Sequence, residues 1–358
     1  MLRTVGAVQL DTISVLARSH ELVAYARLGA VNRREIERAY WGTPVRAFEF
    51  YAHAACILPI EDWPLYAFRR RMWRARHTWH RLDLPERTIA EVRAHLRDGP
   101  ITATDAGGAR ASVAGWWNWS AGKRALEAMH LRGEVACVTR RGWKRVYDLA
   151  ERVVPAALLA QDPSDEECFR ALVGSAVRAL GVATKRDIAD YYRLTMSAVS
   201  VPDRRRLFSE ALESWDLPQV HVEGWDEPAY VHQPTARARA GEACRTTLLS
   251  PFDSLIWYRP RAERMWGIDF LLEAYKPHAQ RVHGYFSMPL LCDGGIVGRV
   301  DPAREGETLV VRGCTLDTAD HVPALAAALR EAASWVNCTS IRIDGGPRAL
   351  VSAVRRML

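Results

Sequence analysis

Between Pro85 and Pro155 the order of the periodicities leaves few folds open. Glu86 to Leu96 places Ile89, Val92 and Leu96 on one helical face and stops at Gly99-Pro100. Ile101 to Ala106 then supplies a short second helix or turn before Gly107-Gly108. Ser120 is an N-cap for a helix through Leu131 that Gly133 closes. Two strand-like segments follow, Glu134 to Val138 and Trp143 to Tyr147, joined by Thr139-Arg140-Arg141-Gly142. Helix, turn, helix and a basic-tipped hairpin is the plan of a winged-helix module, in which one helix enters a nucleic-acid groove and the wing touches the backbone.

The order recurs further on, with a helix from Asp165 to Leu180, the segment Ala183 to Tyr192, a helix from Asp203 to Trp215 and a hairpin from Val220 to Val231. That second wing is acidic, so it is expected to act as scaffold. From Thr246 the pattern turns strand-rich, at Tyr285 to Leu291, Ile296 to Val300 and Thr308 to Arg312. Helices Val322 to Val336 and Pro347 to Met357 flank a last strand, Ser340 to Ile343. The expected fold class is α+β: tandem winged-helix modules followed by a small antiparallel β-barrel or sheet with C-terminal helices. The expected divisions are 1–84, 85–160 and 161–245 for three winged helices and 246–358 for the barrel and closing helices.

The formal net charge is +7, which suits a polyanionic partner. Its distribution says more. From Arg69 to Arg81 six arginines interleave with Trp73 and Trp79, without one acid. This run predicts a positive surface on which Arg69, Arg70, Arg71, Arg74 and Arg76 contact phosphates. Lys123 on the third helix and Arg140 and Arg141 at the wing tip extend it. Trp116, Trp117 and Trp119 are read as core packing beside that helix. The seven cysteines are scattered singly, with no Cys-x-x-Cys pair, so neither a structural metal nor any cofactor is expected. An odd cysteine count without a leader or long apolar span points to a reduced, cytoplasmic protein, near the nucleoid if it binds DNA.

Three passages, taken together, resemble one family. They are Val5-Gly6-Ala7-Val8-Gln9-Leu10-Asp11-Thr12-Ile13-Ser14-Val15 with Arg18, His20 and Arg27 after it; Ala52-His53-Ala54-Ala55-Cys56-Ile57-Leu58-Pro59; and Leu249-Ser250-Pro251-Phe252-Asp253-Ser254-Leu255-Ile256-Trp257-Tyr258-Arg259-Pro260-Arg261. They are similar to the hallmark segments of the YcaQ/AlkZ winged-helix DNA glycosylases, and the likeness runs over nearly the whole chain. Members divide by a Gln-hydrophobic-Gln or Gln-hydrophobic-Asp tripeptide at the catalytic position, and Gln9-Leu10-Asp11 matches the second, YcaQ-like pattern. The resemblance implies a monofunctional glycosylase that removes N7-alkylated purines, unhooks alkyl interstrand crosslinks and leaves an abasic site in double-stranded DNA. Members carry a further N-terminal segment before the motif, whereas eight residues precede Gln9 here. The first module is therefore expected to be short.

A 7-alkylated purine leaves as a neutral base, so the remaining tasks are to stabilise the developing sugar cation and to deliver water to C1′. Asp11 is the candidate carboxylate for both. Gln9, on the same side of an extended segment, would position the water or the sugar phosphate. The structural alternative is that Asp11 caps a helix from Thr12 to Ala17. His20 and His53 are candidates for supporting or phosphate contacts, and Arg18 and Arg27 for phosphates or carboxylate pairs. Asp253 is read as a turn anchor. The motifs contain no lysine suited to Schiff-base chemistry, which favours water over amine attack. The rival functions are a winged-helix transcriptional regulator, normally a dimer with one module per subunit, and a non-catalytic sensor or self-resistance factor for alkylated DNA. Tandem modules in one chain favour a monomer, and a carboxylate set beside a phosphate backbone favours chemistry over simple binding.

Overall fold

The computed structural model describes residues 1–75, 78–79, 82–83, 86–107, 119–196, 203–236 and 245–358. The chain forms a mixed α+β fold with several small sheets, divided into two compact units. The first is built from Met1–Glu37, Leu180–Asp187 and Pro218–Leu358, the second from Arg38–Ala179 and Ile188–Leu217. Among the described residues no helix is long and apolar enough to cross a membrane.

In the first unit, helix Ser19–Leu28 is buried from Ser19 through Ala26. Its start is fixed by a one-sided cap, in which the Arg18 backbone N–H donates to the Glu21 carboxylate at 2.9 Å and the Glu21 N–H to the Arg18 carbonyl at 3.0 Å. Tyr25 stacks on Trp335 with ring centroids 4.4 Å apart, and the Trp335 indole donates to the Val31 carbonyl at 2.8 Å. A five-stranded sheet runs in the order Thr247–Leu248, Met288–Cys292, Gly295–Glu305, Thr308–Leu316 and Ser340–Ile343. Its last pair is parallel, against an all-antiparallel expectation. The reason is helix Val322–Trp335, which provides the long crossover that a parallel pair needs. The middle strand also runs past the expected stop at Val300. Pro302 is accommodated by a register shift between Asp301 and Pro302, a bulge that releases the ladder where proline has no N–H to give.

The second unit holds the hairpin Ala47–Tyr51 and Ala55–Pro59 and the helix Ala67–Arg74. It also holds the segment whose order the sequence spells out: helix Glu86–Arg97, strand Ile101–Thr102, helix Ala121–Arg132 and the hairpin Val135–Arg141 with Lys144–Leu149. Ile101–Thr102 pairs with the hairpin's second strand, so the segment expected as a helix or turn is a strand followed by a turn. Val92, Leu96, Leu126, Met129, Val135 and Tyr147 close one core between helices and hairpin. Ser120 caps the second helix by accepting the Lys123 N–H at 3.2 Å. Gly133 ends it with φ +76°, where a Cβ would lie 2.2 Å from the Arg70 side chain.

Helices Asp165–Leu180 and Arg204–Glu213 follow, and further strands pair Val182–Thr184 with Ala229–Val231 and the latter with Gln219–Val220. In the Asp165–Leu180 helix, a Cβ on Gly174 would sit 2.0 Å from the Trp215 ring. Trp215 is held there by its indole N–H, which donates to the Arg170 carbonyl at 2.8 Å. Gly174→Ala should therefore lower stability by about 1–3 kcal/mol through overpacking, despite alanine's better helix propensity. Urea unfolding of the purified variant reads this directly, and a stability equal to wild type would show that Trp215 swings clear.

Candidate active site

Gln9 ends the two-residue strand Val8–Gln9. Its backbone is pinned because the Ser19 hydroxyl donates to the Gln9 carbonyl at 2.6 Å, while its side-chain amide is uncommitted among the described residues. Leu10 is buried between half-buried Gln9 and Asp11, the alternation of an extended segment whose first and third side chains share a face. Residues 12–17 are not helical: Ser14 bridges Arg18, and the helix begins at Ser19. Asp11 is thus not a helix cap. Its carboxylate accepts the Ile13 N–H at 2.8 Å in a tight turn.

Burial raises the Asp11 carboxyl above its ordinary value, opposed by the N–H groups of Ile13 and Thr12. A half-buried carboxylate with a raised pKa, oriented by backbone donors, suits a group that takes a proton from water. Arg18 reaches back over this turn, its guanidinium 3.5 Å from the Thr12 carbonyl. Tyr275 lies within the influence of Asp11. Its phenol is raised first by desolvation and then by the negative charge of Asp11.

The other expected residues divide by their surroundings. Arg27 grips Asp253 with two bonds of 2.6 and 2.7 Å, and buried Asp253 also accepts the Leu255 N–H at 2.9 Å, anchoring the turn as expected. His20 is buried against Glu37 at 2.7 Å. His53 lies between the Asp190 carbonyl, 3.2 Å from Nδ1, and the Arg193 guanidinium, 2.9 Å from Nε2.

The arginine run is not one exposed surface, because its helix turns two members inward. Arg69 is buried and donates to the carbonyls of Tyr51, Ala52 and Tyr192. Arg70 is buried, donates to the Trp63 carbonyl at 2.6 Å and lies over the Trp63 ring, and desolvation lowers its pKa to about 9. Arg71 pairs with Asp162 and Asp165. Arg74 is exposed, with one bond to the Arg132 carbonyl. Arg76, Trp116 and Trp117 lie outside the described residues.

Lys123 rests over the Trp119 ring at 3.9 Å. Arg141 stands exposed at the hairpin tip beside exposed Lys144. Arg140 instead points into the unit, where it holds Glu49 with bonds of 2.7 and 2.6 Å. Glu49 is not singled out by the sequence. It is fully buried and also accepts from Arg145 at 2.8 Å, and Arg145 in turn reaches Glu127. The one available signal is an acidic residue between Phe48 and Phe50 in an apolar strand. Among the described residues no cluster of three or more His, Cys, Asp and Glu could hold a metal.

The family model for the AlkZ-like DNA glycosylases matches residues 2–335. The chain belongs to the AlkZ-like DNA glycosylase family. Membership makes DNA the partner and N-glycosyl cleavage the class of reaction. The fold also matches DNA glycosylase AlkZ of Streptomyces sahachiroi, at 18% identity, over 96% of this chain and 94% of that one, with a TM-score of 0.59. At that identity the likeness concerns the fold alone. Within this family member, Gln9-Leu10-Asp11 therefore lies in a chain whose relatives cut bases from DNA, on a segment fastened by Ser19 and turned by Ile13.

Proposed function

We propose that this chain is a monofunctional DNA glycosylase that excises N7-alkylated purines from duplex DNA, unhooks alkyl interstrand crosslinks and leaves an abasic site. The observation that carries the reading is the Asp11 carboxyl, half-buried, raised in pKa and held by backbone donors beside an uncommitted Gln9 amide. Asp11 stabilises the sugar cation and takes the proton of the attacking water, and Gln9 orients that water or the adjacent phosphate. Arg18, Arg74, Lys123 and Arg141 are the cations best placed to meet DNA. Arg27, Arg69, Arg70, Arg71 and Arg140 act instead through the partners that hold them.

The architecture in this reading is three winged helices, 1–84, 85–160 and 161–245, followed by a small barrel and closing helices over 246–358, working as a cytoplasmic monomer. The test is incubation of purified protein with duplexes carrying 7-methylguanine or a mustard crosslink, followed by hydroxide cleavage and gel analysis. Strand breaks at the lesion and resolution of the crosslinked band support the reading. Damage-dependent binding without breaks would make the protein a sensor, and protection of one undamaged sequence would make it a regulator.

The same assay has a defined acid limb. The reactive form of Asp11 is ionised, and burial raises its pKa. The excision rate should therefore fall as pH drops through a value above that of an ordinary aspartate, and level off above it. A flat single-turnover rate down to the ordinary Asp range would remove Asp11 as the base.

A further inference from the structure

A cleft of about 410 Å³ opens in the first unit beside the five-stranded sheet. Its lining includes His278, Arg281, His283, Arg299, Asp301 and Arg312. Among the described residues the cationic groups make few direct ion pairs. Arg281 donates its Nε–H to the Lys276 carbonyl at 2.9 Å and lies over the Tyr285 ring at 5.0 Å, with no carboxylate in ion-pair reach among the described residues. Arg299 makes one long bond, 3.3 Å, to the Asp269 carbonyl, and its Nη1 is buried without a hydrogen-bond partner among the described residues. Desolvation lowers the Arg299 pKa against the opposing charges of Asp269 and Glu273. Arg312 is reached by Glu305 at 3.6 Å, but Glu305 is the 2.8 Å partner of Arg342.

The one carboxylate in the wall is already engaged. Asp301 accepts the N–H groups of Tyr285 and Phe286 at 3.1 and 2.9 Å. Gly284 permits that approach, since a Cβ at its φ of +103° would lie 2.0 Å from the Asp301 carboxylate. The segment carrying Arg281 and His283 is thus clamped to the sheet. A buried guanidinium N–H without an acceptor among the described residues, beside Arg281 and the loosely paired Arg312, is a donor set suited to an oxyanion.

We propose that this cleft seats a backbone phosphodiester of the duplex, with Arg281, Arg299 and Arg312 as its donors. The assignment rests on the glycosylase reading for its choice of DNA, but its test does not depend on excision. The double variant Arg281→Gln/Arg312→Gln leaves the more enclosed Arg299 in place. Its affinity for an undamaged fluorescent duplex is measured by anisotropy across a salt series, with Arg87→Gln/Arg356→Gln, two exposed arginines elsewhere, as a charge-matched control. The expected result is several-fold weaker binding at low salt, and a log K against log salt slope shallower by about 0.9 for each phosphate that the variant no longer neutralises. The control keeps a slope near wild type, and both variants keep the wild-type melting temperature.

An unchanged slope in the cleft variant, or a weakening equal to the control's, overturns the proposal. So does unchanged duplex binding by a variant that no longer binds inorganic phosphate as wild type does, which would make the cleft a small-oxyanion site. A cleft variant with a reduced slope, in a wild-type protein that leaves damaged duplexes uncut, would overturn the glycosylase reading and leave the cleft standing.

Discussion

Replacing Asp11 by asparagine should reduce single-turnover excision of 7-methylguanine by roughly 100-fold or more, with duplex affinity close to wild type. Asparagine keeps an oxygen for the Ile13 N–H, so the turn that orients the side chain survives. On the proposed mechanism, what disappears is the negative charge that would face the sugar and the site that would take the water's proton. The variant should also lose the acid limb of the wild-type pH profile, because the group that titrates there is gone. A fall in rate with the limb retained would assign that limb to another group. Full wild-type rate in the variant would remove Asp11 from the mechanism altogether.

Glu49→Gln should destabilise the protein by about 3–5 kcal/mol, more than the overpacking expected at Gly174. The Glu49 side chain is 1% exposed, and its partners Arg140 and Arg145 are 10% and 12% exposed. Removing the carboxylate leaves Arg140 enclosed without its counter-charge and Arg145 with Glu127 alone. Burial alone would raise the Glu49 pKa from 4.5, but Arg145 and Arg140 outweigh it and hold the group at about 2. A depressed carboxyl contributes stability that is fully present above its unfolded value and is lost as pH falls from about 4.5 toward 2. Urea unfolding across that window should show a drop in wild-type stability that the variant lacks. Equal stability of the two proteins at neutral pH would mean that the arginines find water on losing their partner.

The elements set by local rules could be read directly. Ser120 and Gly133 bracket a helix because a side-chain acceptor and a left-handed glycine satisfy its ends, whatever lies around it. The Asp165–Leu180 helix follows from its apolar spacing alone. The arginine run could not be read in this way, because burial of Arg69 and Arg70 depends on carbonyls of Tyr51, Tyr192 and Trp63 that only the folded chain brings near. Composition describes charge, not which face a helix turns inward. The strand through Pro302 was hidden for a similar reason, since a bulge is a property of the pair and not of one strand. At the candidate site the motif was legible but its conformation was not. Asp11 ahead of Thr12 looks like a cap, and it is the Ser14–Arg18 bridge that delays the helix to Ser19. Glu49 is nearly silent in the sequence because its charge partners, Arg140 and Arg145, lie 91 and 96 residues away.

The stacking of Tyr25 on Trp335, with the Trp335 indole tied to Val31 across 304 residues, has a bearing on how the protein is made. The helix that follows the Gln9–Asp11 segment is translated long before Trp335, which forms one wall of its seat. A nascent chain halted before Trp335 therefore holds its amino-terminal helix without that lid, with apolar surface open to chaperones and proteases. Stable seating of the Gln9–Asp11 segment should come only after Trp335 has been made.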